Sequence, residues 1–117
     1  MKFETAKTYT LDNVHFDVAK ATLRPDSFSE LEELVTYLKN KTDISIEIAG
    51  HTDNVGKDAD NLRLSQQRAD SIREYIIKKG IESKRVSAKG YGASEPIAPN
   101  DTDKGRQSNR RTEVHIL

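Results

Sequence analysis

The stretch Ile48–Ala69, IAGHTDNVGKDADNLRLSQQRA, carries the strongest indications of how this chain folds. It begins as the end of an apolar strand, crosses a polar loop that contains glycine, and ends inside an amphipathic helix. Asp53 lies in the loop, Asn61 lies at the predicted start of the helix, and Arg68 lies about two turns further on. We therefore expect the rest of the chain to act as the scaffold that holds this segment in place.

The region before this segment contains a predicted helix followed by a strand. The helix covers about 25–41, because apolar residues recur at helical spacing and Pro25 stands in the first turn, where its missing N–H costs nothing. Its apolar face consists of Phe28, Leu31, Leu34, Val35 and Leu38. The strand covers 44–49, since isoleucine occupies every second position, and Gly50 is predicted to end it. This strand is expected to be central in the sheet.

A second helix is predicted over about 59–79, with Gly80 as the residue that follows its end. Its apolar stripe consists of Leu62, Ala69, Ile72 and Ile76, which lie within about 80° of one another on a helical wheel. The next strand is predicted over 85–89, with Val86 and Ala88 pointing inward, and it ends at the GYG sequence.

The two ends of the chain are predicted to provide the outer strands. Residues 1–8 are polar and are expected to be a flexible N-terminal segment, followed by a strand over 9–16 with a bulge or irregularity at Asp12–Asn13. A long irregular loop is predicted over 93–109, and loops of this length are often functional. The last strand covers 110–117 and is expected to run antiparallel to some of the others.

The predicted order of elements is therefore β-α-β-α-β-β, within one domain over 9–117. Because each helix has one apolar stripe and each strand one apolar face, the economical arrangement is an α/β (α+β) two-layer sandwich. In it, a four-stranded mixed sheet carries both main helices on one face. Helical crossovers favour a parallel relation among the first three strands.

Composition narrows the classes of function. The 117 residues include 19 basic and 19 acidic side chains, and this balance argues against nucleic-acid binding and against bulk attraction to an anionic membrane. The sequence contains no cysteine, which excludes disulfides and thiolate metal sites. It also lacks an apolar run of membrane-spanning length and an apolar signal core. We expect either a cytosolic protein or a domain of a longer secreted one.

The polar residues of the opening segment are placed so that they can form one pocket. Arg68 and Asn61 are seven residues apart and share a helix face beside the core, while Asp53 follows the end of the central strand. A carboxylate and a guanidinium in one pocket can bind the ammonium and carboxylate of an amino-acid end group. Alternatively, Asp53 and Arg68 simply pair with each other.

A set of short motifs, in a defined order and spacing, resembles a known family. The motifs are Phe16–Asp17, GHTD at 50–53, Gly56, Asn61, LSxxRA at 64–69, GYG at 90–92, Pro96 and NRRxE at 109–113. This pattern resembles the OmpA-like peptidoglycan-binding domain family, which includes periplasmic domains of outer-membrane porins, peptidoglycan-associated lipoproteins and flagellar stator proteins. The match extends over about 9–117, nearly the whole chain.

The resemblance implies non-catalytic binding of peptidoglycan through the diaminopimelate of the stem peptide, with no cofactor. By resemblance, Asp53 takes the ligand ammonium and Arg68 takes the carboxylate. The residues implied to complete the pocket are Asn61, Phe16, Asp17, Thr52 and Val55. The resemblance also implies a periplasmic location, in a parent protein anchored to the outer membrane, and leaves a homodimer open.

The roles of four further side chains stay open at this stage. Arg110 is predicted to face the helices, either anchoring the long loop through acidic partners or contacting the ligand. Asp17 either caps a turn or lines the pocket rim. His51 is expected to hydrogen-bond the loop backbone rather than to bind a metal, since no partner stands at zinc-ligand spacing. Tyr91 is expected to pack rather than to form a platform for sugar.

Two other classes of function remain as alternatives. A hydrolase using His51 and Asp53 would need a nucleophile or metal that the sequence does not supply, since it has neither cysteine nor a GxSxG elbow. A protein–protein interaction module of an envelope complex would keep the fold without wall binding. Retention of both Asp53 and Arg68 favours the binding module over this third hypothesis.

Overall fold

A computed structural model describes residues 7–11, 16 and 20–117 of the chain. The predictions for residues 1–6, for the bulge at Asp12–Asn13 and for the role of Asp17 lie outside the described residues. Within them, the first strand begins at Thr8, one residue inside the segment predicted to be flexible.

The described residues form one mixed sheet with three α-helices. The strands are β1 Thr8–Thr10, β2 Ile46–His51, β3 Val86–Gly92 and β4 Thr112–Ile116, and the helices are α1 Phe28–Asn40, α2 Asp58–Lys78 and α3 Asp103–Asn109. The strand order is β1-β4-β2-β3. Strand β4 runs antiparallel to β1 and β2, while β2 and β3 are parallel. The predicted mixed sheet, its central strand and its antiparallel last strand are confirmed.

One core joins the inward face of the sheet to both long helices. It contains Leu31, Leu34 and Leu38 of α1, Ala69, Ile72 and Ile76 of α2, and Ile46, Ile48 and Val114 of the sheet, all 0% exposed. Because α1 and α2 bury their stripes against the same strand face, the two-layer arrangement is confirmed. The prediction that Leu62 belongs to the stripe of α2 is wrong, since this residue is 51% exposed near the helix start.

The close approach of α2 to the sheet explains why glycines lie inside two strands. A Cβ on Gly50 would lie 2.4 Å from the carbonyl oxygen of Ser65, and one on Gly90 would lie 2.3 Å from the amide nitrogen of Gln66. Gly50 therefore does not end β2: it pairs with Gly90 on one side and Thr112 on the other. Any larger side chain would push the helix away from the strands, as real Cβ contacts are not this short.

The predicted strand boundaries also shift at β3. It continues through the GYG sequence instead of ending there, and Arg85 belongs to the 3₁₀ turn Ser83–Arg85 rather than to the strand. The buried guanidinium of Arg85 donates hydrogen bonds to the carbonyls of Leu38, Lys41 and Ile44. It thereby satisfies carbonyl groups at the end of α1 and in the connection to β2.

The prediction of an irregular loop over 93–109 is wrong in its second half, because α3 occupies Asp103–Asn109. The hydroxyl of Thr102 accepts a hydrogen bond from the amide of Gly105 at 3.0 Å and caps the helix, and Asp103 stands in its first turn. A Cβ on Gly105 would collide with the carbonyl of Pro99, so α3 lies directly against the preceding turn. The Thr102 cap is the sequence signal that could have predicted this helix.

Candidate ligand-binding cleft

A cleft of about 850 Å³ opens where β2 ends and the connection to α2 begins. The predicted site residues that line it are Asp53, Arg68, Asn61, Phe16, Thr52, Val55 and Arg110. Asp17, the remaining predicted site residue, lies outside the described residues. The fold therefore brings together side chains that stand up to 94 positions apart, from Phe16 to Arg110.

Asp53 is the acidic group of the cleft, and its side chain is only 10% exposed. Its Oδ1 accepts a hydrogen bond from the amide of Val55 at 3.0 Å, and its Oδ2 lies 2.6 Å from Nη1 of Arg110. The amide bond fixes the direction in which the carboxylate points, while the ion pair with Arg110 balances its charge. Together the two contacts hold the carboxylate in one orientation at the cleft.

The loop that presents Asp53 is tied to α2 and to itself. The hydroxyl of Thr52 donates to the carbonyl of Asp53 at 2.8 Å. The side-chain amide of Asn61, on the first turn of α2, donates to the carbonyls of Val55 at 3.0 Å and of Asp53 at 3.4 Å. Asn61 therefore holds the loop in shape, whichever ligand the cleft takes.

Arg68 lies on the same flank of α2 as Asn61, as the helical spacing predicted. Its Nε donates to the carbonyl of Lys20 at 2.9 Å, and its guanidinium lies 5.0 Å from the ring centre of Phe16. Partial burial lowers the pKa of the Arg68 guanidinium from its ordinary value. Such a partly desolvated cation, held by a carbonyl and an aromatic face, is suited to binding an anionic group.

The basic side chain that pairs with Asp53 is Arg110, not Arg68. This differs from the alternative in which Asp53 and Arg68 pair with each other. It also differs from the alternative in which Arg110 anchors the long loop. Arg110 does face the helix side, but it directly follows α3, two positions before β4, and there it reaches the cleft. Its side chain remains 48% exposed.

The neighbouring Arg111 performs the anchoring role instead. Its side chain is 6% exposed, and it lies on the opposite face of the sheet. Its guanidinium donates to Glu113 Oε2 at 2.9 Å, to the carbonyl of Asn109 at 3.3 Å and to the carbonyl of Glu95 at 3.1 Å. These bonds fix both ends of the 95–109 region against β4.

Asn109 is a structural residue that the sequence analysis quoted within a motif but gave no role. It is fully buried, and its side-chain oxygen accepts hydrogen bonds from the amides of Ile97 at 2.7 Å and Ala98 at 3.0 Å. Its side-chain nitrogen donates to the carbonyl of Ala98 and to Asn100 Oδ1. Four hydrogen bonds from one amide group thus shape the turn that precedes α3.

The outer face of the sheet, opposite the helices, carries a polar cluster behind the cleft. The ring of His51 stacks on that of Tyr91 at 5.2 Å, and its Nε2 lies 3.4 Å from Glu113 Oε1. The prediction that His51 bonds the loop backbone is wrong, since both of its ring nitrogens are buried without a hydrogen-bond partner among the described residues. The prediction that Tyr91 packs is confirmed: it also donates to Glu47 at 2.9 Å.

Burial dominates the titration of this cluster. It lowers the pKa of His51, with nearby Arg111 acting in the same direction, so the imidazole is neutral at pH 7. Burial and the bond to Glu47 raise the pKa of Tyr91 to about 12. Burial opposes ionisation of Glu113, but hydrogen bonds from Arg111 and His115 outweigh it and lower the pKa of this carboxyl.

The described residues carry neither a metal-binding cluster nor a membrane-spanning helix. Within 7–11, 16 and 20–117, no group of three or more histidine, cysteine or acidic side chains is arranged to hold a metal ion. None of the helices in these ranges has the length and apolar character needed to cross a membrane.

Comparisons with known proteins place this fold in a defined group. A family model described as the OmpA family matches residues 15–110. The chain is 39% identical over 104 residues to outer membrane porin F of Pseudomonas fluorescens, a match that covers 89% of this chain and 32% of that protein. The chain thus spans about a third of the length of this relative.

Two solved structures share nearly the whole fold. A putative MotB-like protein from Desulfovibrio vulgaris superposes with a TM-score of 0.85 at 30% identity, covering 93% of this chain and 71% of that one. The peptidoglycan-associated lipoprotein from Burkholderia pseudomallei superposes with a TM-score of 0.82 at 25% identity. This match covers 96% of this chain and 91% of that one. Both likenesses agree with the α+β architecture of a mixed four-stranded sheet and helices.

Proposed function

Because this chain belongs to the OmpA family, we propose that it is a non-catalytic module that binds peptidoglycan through the diaminopimelate of the stem peptide. In this proposal it tethers an outer-membrane or other envelope protein to the cell wall from the periplasm. Similarity to an outer membrane porin and to a protein named for its association with peptidoglycan supports the setting. The chemistry rests on the cleft.

The observation that carries the proposal is the meeting of Asp53, Arg68 and Arg110 on one cleft. Diaminopimelate keeps a free ammonium and a free carboxylate at its far end when the rest of it is built into the stem peptide. A preformed cleft with a fixed carboxylate and a fixed guanidinium matches that pair of charges, and charge-assisted hydrogen bonds of this type contribute about 1.5–3 kcal/mol each.

In the proposed complex, Asp53 takes the ammonium and Arg68 takes the far-end carboxylate. Asn61 keeps the loop closed around the ligand, and the main chain near Phe16, Thr52 and Val55 supplies further polar contacts. Asp17 is proposed as a rim residue from its place in the family motif. No step of covalent chemistry is required, because binding alone provides the tether.

The test is a calorimetric titration of the chain with a diaminopimelate stem peptide, beside Asp53→Ala and Arg68→Ala. We expect each variant to lose at least about tenfold in affinity while its melting temperature shows that it folds. Arg63→Ala is the matched control, since Arg63 is an exposed arginine of α2 that pairs with Asp60 outside the cleft. It should bind like the parent.

A second ligand sharpens this test. A stem peptide with lysine in place of diaminopimelate keeps the ammonium and lacks the far-end carboxylate, so the parent chain should bind it much more weakly. Equal affinity for both peptides would contradict the role of Arg68. Absence of binding by the parent chain to either peptide would reject the proposed function and point to a protein partner.

A further inference from the structure

Arg110 occupies an unusual position for a residue that balances a buried carboxylate. The side chain of Asp53 is 10% exposed, whereas that of Arg110 is 48% exposed. In the part of the chain that the structure describes, the side chain of Arg110 makes one polar contact, the 2.6 Å ion pair with Asp53 Oδ2. Arg111 next to it makes three polar contacts and is buried.

Ligand binding disturbs this ion pair if Asp53 takes an ammonium. Asp53 Oδ1 accepts from the amide of Val55 and Oδ2 accepts from Arg110, so an incoming ammonium that approaches Oδ2 competes with the guanidinium for that oxygen. The guanidinium then loses some or all of its partner. It remains half exposed in the cleft wall, with N–H donors that can bind an anionic group of the ligand.

The described acidic groups nearby do not offer Arg110 a replacement. Glu113 belongs to the opposite face of the sheet, where it is bonded to Arg111 and His115. Asp103 lies on the outer side of α3 and pairs with Arg106. Since none of these described groups is placed to bind Arg110, we consider a carboxylate of the ligand as its second partner.

We propose that Arg110 is a specificity-determining residue that binds a second carboxylate of the stem peptide, in addition to the far-end carboxylate held by Arg68. This inference rests on the proposed function, which it deepens by defining the ligand class as peptides with one free ammonium and at least two free carboxylates. Binding exchanges the Asp53–Arg110 pair for three ligand contacts: ammonium to Asp53, far-end carboxylate to Arg68 and second carboxylate to Arg110.

A stem tripeptide offers two sources for the second carboxylate. One is the α-carboxylate of the γ-linked glutamate before diaminopimelate, and the other is the near-end carboxylate of diaminopimelate itself. Both share the chemistry that Arg110 recognises, and each is converted to a neutral amide of almost the same shape by amidation. Amidated peptides therefore remove the charge with little change in size.

The experiment compares three tripeptides by calorimetry: one with every carboxylate free, one amidated at glutamate and one amidated at the near end of diaminopimelate. The far-end ammonium and carboxylate are unchanged in all three. We expect one of the two amides to bind the parent chain about three- to tenfold more weakly, given the partial exposure of Arg110. The amide that does so identifies the source.

The same three peptides are then titrated into Arg110→Gln, with Arg63→Gln as the matched control. In R110Q the fully free and amidated peptides should bind equally, while R63Q should keep the preference of the parent. The proposal is overturned if neither amidation weakens binding to the parent chain, or if the preference survives in R110Q. If the parent binds no tripeptide, the proposed function itself fails, and this result is distinguished by the absence of any titration heat.

Discussion

Arg110 and Arg111 are adjacent in sequence and identical in chemistry, yet their side chains lie on opposite faces of the sheet and differ in exposure and in partners. Arg110 reaches into the cleft, stays half exposed and holds a single described partner, Asp53. Arg111 is buried against the outer face and bonds one carboxylate and two carbonyls. The half-exposed pair on the cleft side is consistent with the exchange of contacts that we propose, whereas the buried bonds on the outer side hold the fold together.

The largest expected effect follows from removing the buried member of the arginine pair. Arg111→Gln leaves the carboxylate of Glu113 and the carbonyls of Glu95 and Asn109 without their donor, and breaking a buried pair costs about 3 kcal/mol. Arg110→Gln should lower the free energy of unfolding by about 1 kcal/mol or less, because its ion pair is half exposed. Urea denaturation measures both; equal losses would remove the distinction between the two faces.

A smaller loss of stability is expected when Asn109, which shapes the turn before α3, is replaced. Asn109→Ala deletes four hydrogen bonds in a fully buried position, and we expect the free energy of unfolding to fall by about 2 kcal/mol. Hydrogen exchange of the Ile97 and Ala98 amides should accelerate.

Ser108→Ala provides the matched control for that measurement. The hydroxyl of Ser108 is exposed and donates only to the carbonyl of Lys104 within its own helix, at 3.2 Å, among the described contacts. If N109A and S108A lose the same stability, the side-chain amide of Asn109 does not organise this turn.

The smallest expected effect is the pH dependence of stability that His51 causes on the outer face of the sheet. Because burial lowers the pKa of His51 below its ordinary value of 6.5, the unfolded chain binds this proton more tightly than the folded chain does. The contribution of neutral His51 to the free energy of unfolding is therefore complete above about pH 6.5, and it is lost as the pH falls below that value. Glu113 titrates at lower pH, since its pKa is lowered from 4.5.

The measurement for this effect is the melting temperature of the parent chain and of His51→Phe between about pH 7.5 and 5.5. Phenylalanine keeps an aromatic ring against Tyr91 and cannot be protonated. The parent should lose melting temperature toward acid pH more steeply than H51F. Parallel curves would show that His51 does not carry the dependence.

Sequence reasoning succeeded where the signal is local. The cores of α1, β2 and α2 follow from apolar periodicities of 3.6 and 2 residues, because a residue's burial depends on which face of its own element it occupies. The placement of Asn61 and Arg68 on one flank of α2 follows in the same way. Sequence reasoning failed at α3, because the seven residues of this helix include no apolar side chain and only the Thr102 cap indicates the helix.

Tertiary structure decided which charges meet. The sequence predicted that Asp53, after the central strand, and Arg68, on the following helix, share one cleft. The arginine that pairs with Asp53 stands 57 positions away, just before β4. That pairing depends on β4 lying beside β2 in the sheet, and the order of strands is set by how all the apolar faces are covered together.

The sequence by itself therefore determined the elements, their apolar faces and the segment that carries the site. The contact that Asp53 makes, the different partners and exposures of Arg110 and Arg111, and the buried turn around Asn109 emerged only from the folded chain. The physical reason is that apolar periodicity depends only on which side of one element is buried. Ion pairs and buried amide networks depend on which elements lie next to each other.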